Sequence, residues 1–160
     1  MSTTDLRERA PDLIRRFLRA APIALDRIVR VLGLSVAVDP KLSPGISSRI
    51  EVQGPRVLII VNGSHAPQRQ RFTLAHAIAH CVLHRAAIGT SLVEDAHRRG
   101  AGLTAEMDEE ADRYAADLLM PADLVHSFWN LGVRSASEMA RRFDVTPEAA
   151  TARMGQLGIG

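Results

Sequence analysis

The segment Arg71–Arg85, RFTLAHAIAHCVLHR, constrains the fold of this chain more than any other part of it. Its apolar residues recur at helical spacing, which predicts an apolar helix. His76 and His80 lie four residues apart, so their side chains share one face and can bind a single zinc ion at about 2.0–2.1 Å. His84 lies about 12 Å along the helix from His76, so we expect it at the helix C-terminus and not on the metal. The alternative is that the spacing of the histidine pair arises by chance.

A second helix offers candidates for a third ligand. In the segment Met107–Pro121, MDEEADRYAADLLMP, the apolar residues form one stripe centred near Ala111 and Ala115. Asp108 lies about 50° from that centre, and a carboxylate at the edge of a core-facing surface is costly without a partner. Asp108 is therefore the first candidate for the third ligand, and Glu110 is the second. The competing interpretation is that Asp108 only stabilises the helix N-terminus through its charge.

Hydrophobic periodicity and turn residues predict the other elements. Helices are expected at about 6–18, 23–32, 68–85, 105–120, 122–131, 135–143 and 146–158. Strands are expected at about 34–40, 46–54 and 55–64, and an irregular segment at 87–104. This order predicts an α+β fold, a mostly helical single domain with a small three-stranded sheet of antiparallel type.

Composition bears on partners and compartment. The 160 residues suit one compact domain, or one with a small appendage. The net charge of +2 is too small to indicate a dedicated nucleic-acid or membrane surface. Cys81 is the single cysteine, so no internal disulfide can form and a reducing compartment is expected. No run approaches the roughly 18 apolar residues of a spanning helix, and the N-terminus lacks the apolar core of a signal peptide. We therefore predict a soluble, cytoplasmic protein without a membrane partner.

Taken together, the two helices resemble those of a known family. The sequence RFTLAHAIAHCVLH, an acid 28 residues after His80, and the sequence ADRYAADLLMP are similar to the ImmA/IrrE zinc metallo-endopeptidases. The likeness is strong over about 59–121. It implies a zincin-like active-site helix on which His76 and His80 bind zinc, with Asp108 as the third ligand. The family usually has a glutamate at that third position, so Asp108 is one departure from its pattern.

Ala77 is the larger departure. In the HExxH sequence of such peptidases, a glutamate at this position takes a proton from the zinc-bound water, and help of this kind is worth about 10²–10⁴ in rate. An alanine methyl group cannot carry a proton. The sequence therefore predicts a chain that folds and binds zinc but is catalytically inactive. Either alanine was introduced in place of the glutamate, which the intact surroundings favour, or the chain is a natural pseudoenzyme.

The resemblance also implies domains and partners. We expect a zincin-like metallopeptidase domain over 1–121 and a helical, helix-turn-helix-like extension packed on it over 122–160. Family members inactivate helix-turn-helix transcriptional repressors during mobile-element induction or stress responses. The expected partner is therefore a repressor of that kind or an antitoxin-like regulator.

Two other functions remain open at this point: a non-catalytic protein-binding module and a DNA-binding regulator. The segment 137–154, SEMARRFDVTPEAATARM, is typical of a helix, a short turn and a second helix. Arg141, Arg142 and Arg153 could contact phosphates there. The slight net charge and the second helix, which is poor in base-reading side chains, argue against direct binding of nucleic acid.

Other side chains have a functional and a structural interpretation. Tyr114 could polarise a substrate carbonyl, but its place on the apolar stripe favours a core aromatic. His97, in the irregular segment, is a candidate proton donor. Cys81 points about 100° away from His80, which favours a buried thiol over a metal ligand. The strand at 56–62, RVLIIVN, is either an open edge that can bind a peptide or a buried central strand.

Overall fold

The described part of the chain, residues 3–95 and 102–160 of a computed structural model, contains eight α-helices, a short 3-10 helix (Arg15–Phe17) and four β-strands. The helices are α1 (Thr3–Ile14), α2 (Leu25–Val31), α3 (Pro67–Leu83), α4 (Arg85–Ile88), α5 (Ala105–Leu119), α6 (Ala122–Asn130), α7 (Ala136–Phe143) and α8 (Pro147–Gln156). The strands are β1 (Ser35–Asp39), β2 (Ile46–Gln53), β3 (Arg56–Asn62) and β4 (Ser91–Asp95). The predicted class, α+β and mostly helical, is confirmed. None of the described helices is long and apolar enough to cross a membrane.

The strands form one mixed sheet in the order β1-β3-β2-β4. β2 is antiparallel to both β3 and β4, whereas β1 runs parallel to β3. The prediction of three strands in an antiparallel-type sheet is therefore wrong in both strand number and direction. The hairpin of β2 and β3 leaves the outer edge of each strand unpaired, and β1 and β4 satisfy those backbone groups.

The fourth strand lies within the segment 87–104, for which the sequence predicts no regular structure. β4, SLVED, lies in a glycine-rich segment and has no apolar or alternating run that indicates a strand. Tertiary pairing decides its conformation. Leu92 lies opposite Ile50 of β2, and both side chains are buried in the core.

The strand β3 is central, between β1 and β2. The interpretation of RVLIIVN as an open edge is therefore wrong, and its reading as a central strand is confirmed. Side chains of β3 such as Ile59 are fully buried. The helix α3 packs on β2 and β3 and also runs against α5. This arrangement brings the histidines of α3 next to the acidic residues of α5.

Three helices begin at capping residues. The hydroxyl groups of Thr104, Ser135 and Thr146 each accept a hydrogen bond from the backbone N–H three residues later, at 3.2 Å. Such a cap satisfies one amide that the helix leaves unpaired and stabilises it by about 1 kcal/mol. Thr104 therefore fixes where α5 begins, four residues before Asp108.

A buried arginine connects the C-terminal helices to α5. Arg153 of α8 donates a hydrogen bond from Nε to the carbonyl of Met120 at 3.0 Å, and its Nη1 lies 2.8 Å from Asp117 Oδ1. Met139 and Phe143 of α7 are fully buried in the same core cluster as the sheet residues. The division of the chain at residue 121 stays a prediction.

Arg71 joins three segments near the start of α3. Its Nη2 donates to the carbonyl of Ile23 and its Nε donates to the carbonyl of Asp144, both at 3.1 Å. The Asp144 carboxylate lies 3.5 Å from Nε. Burial lowers the pKa of the guanidinium group, and the charge of Asp144 opposes that shift. The arginine thus holds the chain before α2 and the turn after α7 against α3.

Replacing Arg71 with methionine is expected to lower the free energy of unfolding by about 2–3 kcal/mol, because charged hydrogen bonds are lost and partly buried carbonyls stay unpaired. Arg69→Met is the matched control, since Arg69 is exposed on the same helix. Its effect should stay within about 0.5 kcal/mol. Urea unfolding followed by circular dichroism measures both. Equal stability of the two variants would show that Arg71 does not hold these segments together.

Candidate metal centre

Three side-chain atoms that can bind a metal ion lie close together, two from α3 and one from α5. The Nε2 atoms of His76 and His80 are 2.9 Å apart, and Asp108 Oδ1 lies 3.2 Å from the first and 3.7 Å from the second. The helical spacing of four residues aligns the two rings on α3, and the packing of α5 brings the carboxylate to them. No second group of three metal-ligating side chains this close together occurs in the part of the chain that the structure describes.

The centre is buried on one side and accessible on the other. The side chain of His80 is fully buried, that of His76 is 13% exposed and that of Asp108 is 32% exposed. Asp108 Oδ1 is itself buried and has no hydrogen-bond partner among the described residues. A buried carboxylate oxygen without a donor is costly, so this atom is suited to a cation.

The proton position on His76 follows from its partner on α5. Nδ1 of His76 lies 2.8 Å from Oδ1 of Asp112. An ionised carboxylate only accepts hydrogen bonds, so the imidazole proton is on Nδ1 and donates to Asp112. A neutral ring then has its lone pair on Nε2, which is the atom that faces His80 and Asp108.

The same reasoning applies to His80 through one more residue. His84 Nε2 lies 2.9 Å from Glu110 Oε2, and His84 Nδ1 lies 3.0 Å from His80 Nδ1. The hydrogen bond from His84 is the main cause that lowers the pKa of the Glu110 carboxyl, which therefore accepts. With the proton of His84 on Nε2, its Nδ1 can accept, and the matching tautomer of His80 donates from Nδ1. Its lone pair is then also on Nε2.

With these tautomers, three lone-pair-bearing atoms face one another, an arrangement that a cation at their centre stabilises. A tetrahedral ion with bonds of about 2.0–2.1 Å holds its ligand atoms about 3.3 Å apart. The three observed separations, 2.9, 3.2 and 3.7 Å, lie on both sides of that value. Two imidazoles and one carboxylate with one accessible side could hold a metal ion and leave a place for water.

The structure separates the remaining candidates from this group. Glu110, the alternative third ligand, directs its carboxylate to His84 and to Arg7 instead. Ala77 is fully buried in the core cluster. His97 lies outside the described residues.

Tyr114 and Cys81 fit their structural interpretations. Tyr114 packs against the core cluster about 120° around α5 from Asp108, and burial raises the pKa of its hydroxyl. Cys81 is buried, as predicted, and burial raises the pKa of its thiol to about 12. A thiol with so high a pKa stays protonated at neutral pH and is a poor metal ligand.

Sequence reasoning missed the residues that orient the histidines. The sequence pattern does not single out Asp112, and it predicts for His84 only a position at the helix C-terminus. The spacing did contain a clue, since Asp108 and Asp112 repeat on α5 the four-residue interval of His76 and His80 on α3. Two packed helices with equal intervals can bring the members of both pairs together.

The arginines proposed to contact DNA are partly occupied by the protein. Arg153 is buried and bound to Asp117 and to the Met120 carbonyl. The guanidinium of Arg142 lies over the ring of Phe128, 5.3 Å from its centroid. The helix pair α7 and α8 therefore presents fewer basic groups to a phosphate backbone than the sequence suggested.

Comparison with known proteins gives a consistent set of matches. Residues 27–154 match the family described as the IrrE N-terminal-like domain, a family of peptidases. The chain is 38% identical over 100 residues to a radiation response metalloprotease IrrE from Deinococcus deserti, covering 58% of this chain and 34% of that protein. It is 34% identical over 97 residues to the protein of the same name from Deinococcus radiodurans, covering 58% and 29%. The chain thus spans about a third of the length of these relatives.

A solved structure of a Mycobacterium tuberculosis transcriptional regulator superposes on 94% of this chain and 46% of that one, with a TM-score of 0.62. The sequence identity is 18%, so the match indicates a shared fold alone.

Proposed function

The chain belongs to the family of the IrrE N-terminal-like domain, and from that premise we propose that it is a zinc metallo-endopeptidase domain that binds its substrate but, with alanine at position 77, does not cleave it. One observation carries the proposal. The Nε2 atoms of His76 and His80 lie 2.9 Å apart, and a buried oxygen of Asp108 that has no hydrogen-bond partner among the described residues lies within 3.7 Å of both. A cation between these three atoms would satisfy that oxygen.

The donor set supports zinc as that cation. Two imidazoles, one carboxylate and one place for water are typical of catalytic zinc sites, whereas magnesium and calcium prefer oxygen ligands. When bound, zinc would polarise the scissile carbonyl and lower the pKa of its water. His76, His80 and Asp108 would hold the ion, and Asp112 would orient the ring of His76.

Ala77 determines what the chain does with a bound peptide. Its methyl group can neither take a proton from water nor pass one to a leaving amine, so cleavage is slower by the contribution of a general base. The metal site does not depend on this residue, because the missing glutamate is not a ligand. A chain with these properties binds a protein substrate and retains it.

A helix-turn-helix repressor or an antitoxin-like regulator is the substrate that we propose. The resemblance to ImmA/IrrE peptidases supports it, and the names of the relatives support a role in a stress response. The single cysteine, Cys81, fits a cytoplasmic location. In this proposal residues 1–121 form the metallopeptidase domain and residues 122–160 the extension packed on it.

A regulator that binds proteins without any catalytic history is the second candidate function. Ala77 favours this function, because a protein that only binds its partner does not require a catalytic base. A DNA-binding function has less support, since Arg153 is buried and bound within the protein.

Zinc content tests the proposed function. Protein purified without added metal should contain about one zinc per chain, and Asp108→Ala should contain close to none, because two imidazoles alone bind zinc weakly. Glu109→Ala is the matched control, since Glu109 is the exposed neighbour on α5. Inductively coupled plasma mass spectrometry of all three proteins decides the question. Equal zinc in Asp108→Ala and the control, or none in the parent, would exclude this site.

A further inference from the structure

His84 lies between a candidate metal ligand and an acidic residue of another helix. Its ring is buried, with Nδ1 3.0 Å from His80 Nδ1 and Nε2 2.9 Å from Glu110 Oε2. Both ring nitrogens of His84 therefore contact atoms other than the three that face one another at the candidate metal centre. The position on the chain explains this contact, because His84 caps α3 at its C-terminus, four residues after His80.

We propose that His84 and Glu110 are positioning residues that keep the metal centre able to bind its ion, by holding the proton of His80 on Nδ1. The proposal rests on the proposed function, since it takes His80 as a ligand. It gives these two residues a role that neither the family match nor the helix-dipole interpretation of His84 assigns.

The reason why the tautomer of His80 matters is the short distance between His76 and His80. A neutral imidazole can have its proton on either nitrogen. If His80 placed its proton on Nε2, that N–H would face His76 Nε2 at 2.9 Å and could donate to it. The resulting hydrogen bond would occupy both lone pairs that the metal requires. An acceptor at His80 Nδ1 favours the other tautomer and so keeps the two lone pairs available.

His84 alone cannot guarantee that acceptor, because it has two tautomers as well. Glu110 selects between them. A carboxylate only accepts, so it holds the His84 proton on Nε2 and leaves Nδ1 as the acceptor for His80. Outer hydrogen-bond partners of this kind orient metal-binding histidines, and their loss typically costs about 10–100-fold in metal affinity.

Arg7 is the last residue in this series of contacts. It lies 3.3 Å from Oε1 of Glu110, the oxygen that does not face His84, and its side chain is 56% exposed. Exposed ion pairs contribute little. Arg7→Ala therefore removes a neighbour of Glu110 without changing the tautomers and is the matched control.

The experiment measures zinc affinity by competition with a chromophoric chelator, in the parent, Glu110→Leu, His84→Leu, His84→Gln and Arg7→Ala. Glu110→Leu and His84→Leu should bind zinc about 10–100-fold more weakly than the parent. His84→Gln can still accept at its amide oxygen and should recover part of that loss, while Arg7→Ala should stay within about threefold. If His84→Leu does not fold, Glu110→Leu decides, because the Glu110 side chain is 38% exposed. Parent-like affinity in Glu110→Leu would overturn the proposal.

A second readout separates this proposal from the zinc site itself. Nitrogen-15 chemical shifts of the His80 ring, measured on metal-free protein, report which nitrogen has the proton. Protonation on Nδ1 in the parent and a mixture in Glu110→Leu supports the positioning role. The same tautomer in both proteins contradicts it. Failure of the parent to bind zinc would instead contradict the proposed function, whatever the nitrogen shifts show.

Discussion

Ala77→Glu is expected to raise the rate of peptide-bond hydrolysis by about 10²–10⁴ over the chain with alanine. The new carboxylate would take the proton of the metal-bound water and pass it to the leaving amine. The position suits this role, because residue 77 follows His76 directly and lies about 60° from His80 around α3. It is also fully buried, so a carboxylate there is costly unless a cation is within reach. The Ala77→Glu protein should therefore be less stable than the parent without metal.

Ala77→Gln is the control for that gain. Glutamine has nearly the shape of glutamate but cannot act as a base, so its zinc content should equal that of Ala77→Glu while its rate stays at the parent level. Activity is measured on internally quenched peptides of varied sequence and on the repressor encoded nearest to the gene. A zinc-loaded Ala77→Glu protein that cleaves these substrates no faster than Ala77→Gln would contradict the proposed catalytic position.

Removing the metal with a chelator is expected to lower the melting temperature by about 8–16 °C. A ligand that binds only the folded chain stabilises it by about 4 kcal/mol at a concentration of 1,000 times its Kd. Each kcal/mol shifts the melting temperature by about 2–4 °C in a domain of this size. The structural reason is that the ion would join α3 to α5 through His76, His80 and Asp108 and cancel the repulsion among three acceptor atoms.

Asp108→Ala tests whether this shift arises at the proposed centre. Differential scanning fluorimetry with and without chelator should give a large difference for the zinc-loaded parent and almost none for Asp108→Ala. An equal shift in both proteins would mean that the chelator acts elsewhere. A zinc-loaded parent that melts unchanged after metal removal would show that the ion contributes nothing to the packing of the two helices.

The candidate metal ligands show how much residue spacing can predict. His76 and His80 could be paired from the sequence because four residues of helix return to the same face. Asp108 could be chosen over Glu110 because it lies closer to the apolar stripe of α5, and the structure brings it within 3.7 Å of both histidines. Their role as zinc ligands stays a prediction. The orienting contacts of Asp112 and of His84 with Glu110 could not be derived in this way, since each depends on how two helices are rotated against each other.

The sheet shows a similar limit. The sequence located β2 and β3, whose alternating or apolar runs are long and end at turn residues. It missed β4, whose conformation comes from pairing with β2. It also missed the parallel direction of β1, because strand direction depends on which edge of the hairpin a segment reaches.

By itself the sequence determined seven of the eight described α-helices, the histidine pair and the absence of a base at Ala77, because these features depend on side chains within one or two turns of a helix. Only the tertiary structure decided which acid faces the histidines and which polar atom lies opposite each ring nitrogen. Hydrogen bonds act over about 3 Å, and residues such as His84 and Glu110, 26 positions apart, reach that distance only after the chain has folded.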